Sequence, residues 1–439
     1  MRVNQTKKFK LFKPFVASSL TLILNSSLYG SDAIDPYYKM VKAKDDILIF
    51  QFSDGRYNFI VSGNQILYII DNKDNEITFK TFPGQSSEKT TIDFNGQSNK
   101  TFKLLAETSS FQGNLQVIDY KPHPSNPNNT FNATFNYGMT GDINIGAATN
   151  PSNANTTLTF GNTSAQNSSK ELKGNITIYA ANTSNNTITF REDFKTQKIW
   201  TIQGKSAITF EKNATIQSSS EVIYTGWWQN RGAAEATFTF KGTTNLIKNN
   251  IGNPQGIAIQ ANANSFDNQN AKNILKFEGD NSTNTIEGAI IATANLNHDH
   301  KGINEITFNE KTATNTIKGS IIAKVSGVSE NNIIFKGKLS NIITGSITAN
   351  GGINKISMNG NNTIVGIITA TADQEYGKRG SNYLYFSGEK TTIGNNKITD
   401  ETKAITTSII TNKKDENDRR NIYNFLKLES KTNTITLNS

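Results

Sequence analysis

A degenerate motif recurs through the C-terminal half of the chain and constrains its fold more than any other feature. It reads Asn-x-φ-x-Phe followed by Asn-Thr-Ile-x-Gly-x-Ile-x-Ala, where φ is an aliphatic residue. The aromatic position recurs at intervals of about 23 to 31 residues, the range in which one repeat is one supersecondary unit. It falls at Phe277, Phe308, Phe335, Met358 and Phe386. We expect each copy to form one turn of a coil.

Apolar and polar residues alternate inside each copy. Ile286 and Ile290 share one face, whereas Glu287 takes the other, which is the periodicity of a strand rather than a helix. No copy could bury its apolar residues alone, but stacked coils join them into one long core. The pattern predicts an all-β solenoid in which equivalent isoleucines form one file. That file contains Ile286, Ile317, Ile343 and Ile364.

Two asparagines in each copy, such as Asn273 and Asn284, lie two residues before an inward aliphatic residue. They should therefore point inward at the corners, where a carboxamide can bond turn backbone and the asparagine one coil away. A buried polar group without a partner costs about 1–3 kcal/mol. The alternative is that these asparagines only mark turns, since Asn is abundant throughout the chain.

Charge and cysteine content limit the classes of function. The chain of 439 residues carries a net charge of +9 and no cysteine, which excludes disulfides, thiol nucleophiles and zinc–thiolate sites. Residues 1–30 supply five of the positive charges and no acid, which leaves +4 for the remainder. The other basic residues form no dense run with interleaved aromatics, so a nucleic-acid partner is unsupported.

Residues 1–30 have the pattern of a secretory signal peptide. A basic segment between Lys7 and Lys13 precedes a largely apolar stretch from Phe15 to Leu28. This stretch is shorter than the ~20 residues of a spanning helix, so we expect export with cleavage near Gly30. The alternative is a retained membrane anchor.

Short β runs joined by turns such as Asp54-Gly55 fill residues 31–125. They predict a meander of hairpins that forms an N-terminal β cap and shields the first coil from edge pairing. The alternative is an independent β domain with its own binding role. The proline-rich stretch from Lys121 to Pro127 marks the predicted boundary, with repeats from 126 to 439.

One segment stands out as a candidate partner-binding loop. It contains Tyr224, Trp227, Trp228 and Arg231, and inter-coil insertions on solenoids often form the binding face. Indoles beside an arginine could stack on a sugar or on a protein partner. The alternative is that at least one indole packs inside, since neighbouring residues of a strand face opposite ways.

Motifs for catalysis or metal binding are not found, so we predict no catalytic, cofactor or metal residues. The chain has no G-x-S-x-G and no H-E-x-x-H. His298 and His300 are predicted to be solvated in a loop between Asn295 and Asn304. One outward column is chemically mixed, with Glu287, Lys318, Thr344 and Val365 in equivalent positions. A carbohydrate-active β-helix enzyme stays open as the alternative.

The signal segment, cap, Asn-Thr-Ile-x-Gly-x-Ile-x-Ala coils and absence of cysteine resemble passenger regions of Gram-negative autotransporters, in particular the vacuolating-cytotoxin-like group. The likeness covers roughly residues 132–439. It implies a right-handed parallel β-helix, with no cofactor, that is exported to the cell surface or released. The resemblance further implies an adhesin-like or toxin-like role, with a host-cell surface protein or glycan and the outer-membrane translocation machinery as partners.

The chain departs from that group at its C-terminus. Autotransporters end in a β-barrel built from many alternating amphipathic strands, whereas residues 431–439 are still repeat-like. The alternatives are a truncated remnant of a longer gene, a barrel on a separate polypeptide, or export without one, which would leave the protein periplasmic. The last strand would then present an open edge through which copies could self-associate.

Overall fold

The computed structural model describes most of the chain beyond residue 38. The described residues are 39–44, 47–51, 57–61, 65–68, 76–80, 89–94, 99, 101–106, 111–119, 129–147, 151–161, 171–181, 184–226, 233–251, 256–263, 270–294, 300–310, 312–324, 328–371, 380–394 and 423–435. The predicted signal peptide lies outside them. Within the described residues, no helix is long and apolar enough to cross a membrane.

Strands follow one another along the described chain. The first are β1 (Lys39–Lys44), β2 (Ile47–Gln51), β3 (Tyr57–Val61), β4 (Gln65–Tyr68), β5 (Glu76–Lys80), β6 (Lys89–Asp93), β7 (Thr101–Ala106), β8 (Phe111–Gln112), β9 (Asn114–Ile118), β10 (Thr130–Phe135), β11 (Met139–Thr140), β12 (Ile143–Ile145), β13 (Asn155–Phe160), β14 (Glu171–Lys173), β15 (Ile176–Tyr179), β16 (Asn185–Phe190), β17 (Phe194–Thr196) and β18 (Ile199–Phe210). The others are β19 (Ala214–Ser218), β20 (Ile223–Thr225), β21 (Ala234–Phe240), β22 (Thr244–Asn249), β23 (Ile257–Ala263), β24 (Ala271–Phe277), β25 (Thr283–Glu287), β26 (Ala289–Ala294), β27 (Lys301–Phe308), β28 (Thr314–Lys318), β29 (Ile321–Lys324), β30 (Val328–Phe335), β31 (Ser340–Thr344), β32 (Ile347–Asn350), β33 (Ile353–Val365), β34 (Ile368–Thr371), β35 (Ser381–Ile393) and β36 (Tyr423–Ile435).

These strands build a right-handed parallel β-helix with three faces, as the sequence predicted. From β4 onward, each strand pairs in parallel with the equivalent strand of the next coil. Face A contains β5, β7, β10, β13, β16, β21, β24, β27, β30, the second half of β18 and the first halves of β33, β35 and β36. Face B contains β8, β11, β14, β17, β19, β22, β25, β28, β31 and the second halves of β33, β35 and β36. Face C contains β4, β6, β9, β12, β15, the first half of β18, β20, β23, β26, β29, β32 and β34.

The predicted files of apolar side chains fill the interior. Ile286, Ile317, Ile343 and Ile364 are paired in succession on face B, and all four are fully buried. On face A, consecutive rings of a phenylalanine stack lie 4.5 to 5.1 Å apart. That spacing is the distance between neighbouring strands. The stack consists of Phe135, Phe160, Phe190, Phe210, Phe240, Phe277, Phe308 and Phe335.

Inward-pointing asparagines form the predicted ladders at two corners. Asn273, Asn304, Asn331, Asn354 and Asn382 are joined side chain to side chain at 2.8 to 2.9 Å. A second ladder joins Asn245, Asn284, Asn315, Asn341 and Asn362 at 2.8 to 3.2 Å. All of these residues are buried, so the ladder is confirmed over the alternative in which asparagine only marks turns.

The repeat glycine makes the turn from face B to face C. Gly345 has a φ of 153°, and a Cβ built on it would lie 2.3 Å from the carbonyl oxygen of Gly319. Both constraints favour glycine, because an L side chain would be strained there and would collide with the coil beneath. The motif glycine is therefore a requirement of coil stacking.

The N-terminal region differs from the predicted meander of hairpins. Strands β1, β2 and β3 are antiparallel, in agreement with the Asp54-Gly55 turn. From β4 onward, however, the described pairing is parallel: β4 pairs with β6, and β5 pairs with β7. The links around β4 and β5 are longer than a tight hairpin turn, so each strand reaches a partner one coil further on. Parallel coils thus begin upstream of the predicted boundary at 126.

The repeat also continues through residues 191–272, although the motif is hard to follow in that part of the sequence. Phe190, Phe210, Phe240 and Phe277 remain in register on face A. On face B, Thr196 and Ala214 occupy inward positions that hold isoleucine and asparagine in later coils. Small and hydroxylated residues at inward positions hide the pattern in the sequence.

Candidate binding corner

The corner where the chain passes from face C to face A differs in length from coil to coil. Strand β18 crosses it without a break, through Gly204 at a φ of 82°. The next coils cross it by way of segments 227–232, 264–269, 295–299 and 325–327, which lie outside the described residues. Because coil stacking does not dictate these connections, sequence can vary here without disturbing the core.

Two aromatic side chains stand on the outer side of face C beside this corner. Trp200 and Tyr224 are register neighbours on β18 and β20, with ring centroids 5.4 Å apart. The Lys198 ammonium lies 3.7 Å from the centre of the Trp200 ring, in the range of a cation–π contact. Trp200 Nε1 donates to the carbonyl oxygen of Glu221 at 3.1 Å. We call Lys198, Trp200, Tyr224 and Asn262 the aromatic patch.

Hydrogen bonding holds Tyr224 in place. Asn262 Nδ2 donates to the phenolic oxygen at 2.7 Å, and burial raises the pKa of Tyr224 to about 12. The phenol is therefore neutral at physiological pH, and its ring and hydroxyl can contact a ligand without a change of charge. This chemistry suits stacking and hydrogen bonding rather than proton transfer.

A groove lies on the face A side of the same corner. Its volume is about 280 Å³, and its lining includes three small residues, Gly204, Ala233 and Ala234, together with Ile303. Its polar lining consists of Lys205, Glu235, Asn270, Lys272 and Lys301. Lys205, Glu235 and Lys272 are successive register partners on face A. The groove therefore runs along the solenoid axis, across neighbouring coils.

The structure locates one of the four predicted loop residues. Tyr224 belongs to strand β20 and faces outward, whereas Trp227, Trp228 and Arg231 lie outside the described residues. In the sequence, their segment lies between Gly226, which follows strand β20, and Ala233, which lines the groove.

Sequence reasoning missed Trp200 and Lys198. The signal was present: Ile199-Trp200-Thr201 aligns with Ile223-Tyr224-Thr225, so both aromatics take the outward position of equivalent strands. The alignment is hard to recognise in the sequence because Trp200 belongs to the twelve-residue strand β18, which continues from face C onto face A without a loop.

The histidine prediction is partly wrong. His300 is 1% exposed, and its Nδ1 lies 3.2 Å from the carbonyl oxygen of Ala263, so it is not solvated. His298 lies outside the described residues. In the described part of the chain, no group of three or more His, Cys, Asp or Glu side chains is placed to hold a metal ion.

The mixed outward column on face B is observed as predicted. Glu287, Lys318, Thr344 and Val365 are successive register partners, and the series extends back to Lys248. Glu287 accepts from Lys318 at 2.9 Å and lies 3.2 Å from Lys248. On this part of face B, the charges of Lys248, Glu287 and Lys318 are therefore paired with one another.

Comparisons with protein-family models, curated proteins and solved structures give no match for this chain.

Proposed function

We propose that the chain is an exported, non-enzymatic β-helix of the autotransporter-passenger type, which binds a host-cell surface protein or glycan as an adhesin-like or toxin-like molecule. Export by the outer-membrane translocation machinery to the cell surface or medium belongs to the same proposal. The aromatic patch is the observation that carries it. Trp200 and Tyr224 present ring surface on a rigid sheet, where little conformational entropy is lost on binding.

The chemistry of the patch supports a binding role. Tryptophan and tyrosine are enriched among the residues that dominate the binding energy at interfaces. The parallel sheet holds the two rings at a fixed spacing, because β20 is paired with β18 on one side and with β23 on the other. In the sequence, the tryptophan-containing segment follows strand β20 after Gly226.

The test measures binding of the purified full chain to host cells, to matrix proteins and to an array of glycans. We expect Trp200→Ala to weaken binding by about tenfold, a loss typical of an interface hot spot. Tyr385→Ala is the matched control, because Tyr385 is an outward aromatic of face A that is 40% exposed and lies coils away from the patch. It should bind like the wild type.

Two outcomes would count against the proposal. Absence of binding to every cell, matrix and glycan probe would remove the binding role, and equal losses in the two variants would show that Trp200 has no special part. A screen with acidic and neutral polysaccharides checks the rival enzyme reading. If the chain degrades a polysaccharide and substitution of a surface carboxylate abolishes that turnover, the protein is an enzyme and the non-enzymatic proposal is wrong.

A further inference from the structure

Two columns of outward side chains have the same order of charges but differ in their ion pairs. On face B, Lys248, Glu287 and Lys318 are joined by ion pairs of 3.2 and 2.9 Å. On face A, Lys205, Glu235 and Lys272 have the same Lys–Glu–Lys order and the same neighbour register. Yet among the described residues no ion pair joins Lys205 or Glu235 to another side chain, and Lys272 pairs instead with Glu305 at 2.8 Å.

We call Lys205, Glu235 and Lys272 on face A the open column, and Lys248, Glu287 and Lys318 on face B the closed column. The residues of the open column line the groove, whereas those of the closed column do not. Two small residues, Gly204 and Ala234, line the groove together with the charged side chains. Lys301 lies at the far end of the lining, next to Gly302, which is three register steps from Gly204. At about 4.8 Å per step, the groove extends roughly 14 Å along the axis, the length of a short oligosaccharide rather than a single ion.

The lining of the groove contains both hydrogen-bond donors with a positive charge and an acceptor with a negative charge. Lys205 and Lys301 offer ammonium donors for an anion, and Glu235 offers an acceptor for hydroxyl groups. An isolated sulfate or phosphate would satisfy the lysines but would be repelled by Glu235. A neutral sugar would satisfy Glu235 but would leave the lysines without a counter-charge. A ligand with both anionic groups and hydroxyls along an extended chain fits all of these charged side chains.

We propose that this groove binds an acidic oligosaccharide, with its carboxylate or sulfate groups on Lys205 and Lys301 and its hydroxyl groups donating to Glu235. The inference rests on the proposed binding function and names the class of ligand. It uses only side chains on face A and at the corner, so it does not depend on the aromatic patch.

Binding of the full chain to three polysaccharides tests the inference: polygalacturonate, which carries carboxylates, heparin, which also carries sulfates, and neutral dextran. We expect binding to at least one acidic polymer, weakening with added salt, and much weaker binding to dextran. The double variant Lys205→Gln/Lys301→Gln should bind the acidic polymer about tenfold less tightly, because it loses two charge-assisted contacts. The preferred polymer identifies the anionic group.

The matched control is Lys248→Gln/Lys318→Gln, which removes the same charge from the closed column. It should bind within about twofold of the wild type if binding is local rather than a response to net charge. Equal loss in the two double variants, equal binding of single-stranded DNA, or equal binding of dextran would overturn the inference. Binding to cells without binding to acidic polymers would overturn it while leaving the proposed function intact.

Discussion

At the scale of single residues, the carboxamides show how a polar group is stabilised inside an apolar solenoid. Asn304 Nδ2 donates to Asn331 Oδ1 at 2.8 Å and to the carbonyl oxygen of Ile291 at 2.8 Å, while its own oxygen accepts from Asn273. Both donors and the acceptor are thus used within one side chain. Repetition along the axis makes each asparagine the partner of the next, so the cost of burial is offset coil by coil.

Removal of one carboxamide from the middle of a ladder should be strongly destabilising. Asn315 accepts from Asn284 at 2.9 Å and donates to Asn341 at 3.0 Å. Asn315→Ala leaves one buried donor and one buried acceptor without that partner, so we expect a loss of about 2–6 kcal/mol at roughly 1–3 kcal/mol per group. Thermal and urea unfolding followed by circular dichroism measures the effect.

Asn361→Ala provides the control for that substitution. Asn361 donates to the carbonyl oxygen of Leu339 from an exposed position, so its loss should cost no more than about 0.5 kcal/mol. Similar destabilisation by the two variants would show that the buried ladder has no special role in stability.

The ion pairs of Glu287 predict a pH-dependent contribution to stability. The hydrogen bond from Lys318, followed by that from Lys248, lowers the pKa of Glu287 below its ordinary value. A lowered folded-state pKa means that the contribution is present above the unfolded-state pKa, about 4.3, and is lost as the pH falls through the folded-state value. Because the pair is partly solvated, we expect Glu287→Gln to cost less than about 1 kcal/mol at neutral pH.

Melting temperatures of the wild type and Glu287→Gln, measured across the acidic range, check this sign. The difference between the two proteins should shrink as the solution is acidified and vanish once Glu287 is protonated in both states. A difference that grows toward low pH would contradict the assigned direction of the pKa shift.

At the scale of elements, the two asparagine ladders begin differently. The Thr225 hydroxyl donates to Asn273 Oδ1 and caps the first ladder. In the second, Asn245 Oδ1 is buried without a hydrogen-bond partner among the described residues, because its register neighbour one coil earlier is Ala214. The strand that ends the ladder lacks a polar side chain at the required position.

A hydroxyl introduced at that neighbour should stabilise the protein. Ala214→Ser places a donor in register with Asn245 Oδ1, which would give this ladder the capping hydroxyl that Thr225 supplies to the other ladder from face C. We expect a gain of about 1 kcal/mol. The melting temperature reports it, with Ala236→Ser as the control, since Ala236 lies directly between Ser206 and Asn273 on face A. Destabilisation by Ala214→Ser alone would mean that the site has no room for the oxygen.

At the scale of the whole molecule, the solenoid is held together by contacts between neighbouring coils. From β4 onward, strands pair with the equivalent strands of the neighbouring coils. Stability then approximates a sum over coils and their interfaces. The chain should therefore tolerate removal of a whole coil, provided that the register of every column is preserved.

Deletion of residues 331–353 tests this property. It joins Glu330 to Asn354, the register equivalent of Asn331, so Asn304 would meet Asn354 and Phe308 would meet Met358. We expect a folded protein with an unchanged β-sheet circular dichroism spectrum and a modestly lower melting temperature. Size-exclusion chromatography checks that the shortened chain stays soluble and compact.

The control deletion removes one residue more, 331–354, and joins Glu330 to Lys355. Slippage by one residue would turn Lys355 inward and Ile356 outward, because side chains of a strand alternate between faces. This variant should aggregate or fail to fold. If both deletions fold equally well, register is not what holds the coils together.

Much of the architecture was predictable because strand alternation and the repeat are local properties of the sequence. The file of Ile286, Ile317, Ile343 and Ile364 and the inward asparagines follow from parity and spacing alone. The start of the coils was not predictable, since the strands around Gln65–Tyr68 could pair either as hairpins or across coils. Local sequence does not distinguish these pairings when the link between strands is long.

The binding corner likewise combines features that are local in the sequence with neighbours that come from different coils. The columns of isoleucine, phenylalanine and asparagine inside stacked β coils follow from the sequence, because the side-chain period of a strand is a property of its own backbone. The packing of the coils is what brings Trp200 beside Tyr224 and puts Lys205 and Lys301 in the lining of one groove. Those neighbours are separated along the chain by whole coils, and their proximity depends on how many residues each corner uses.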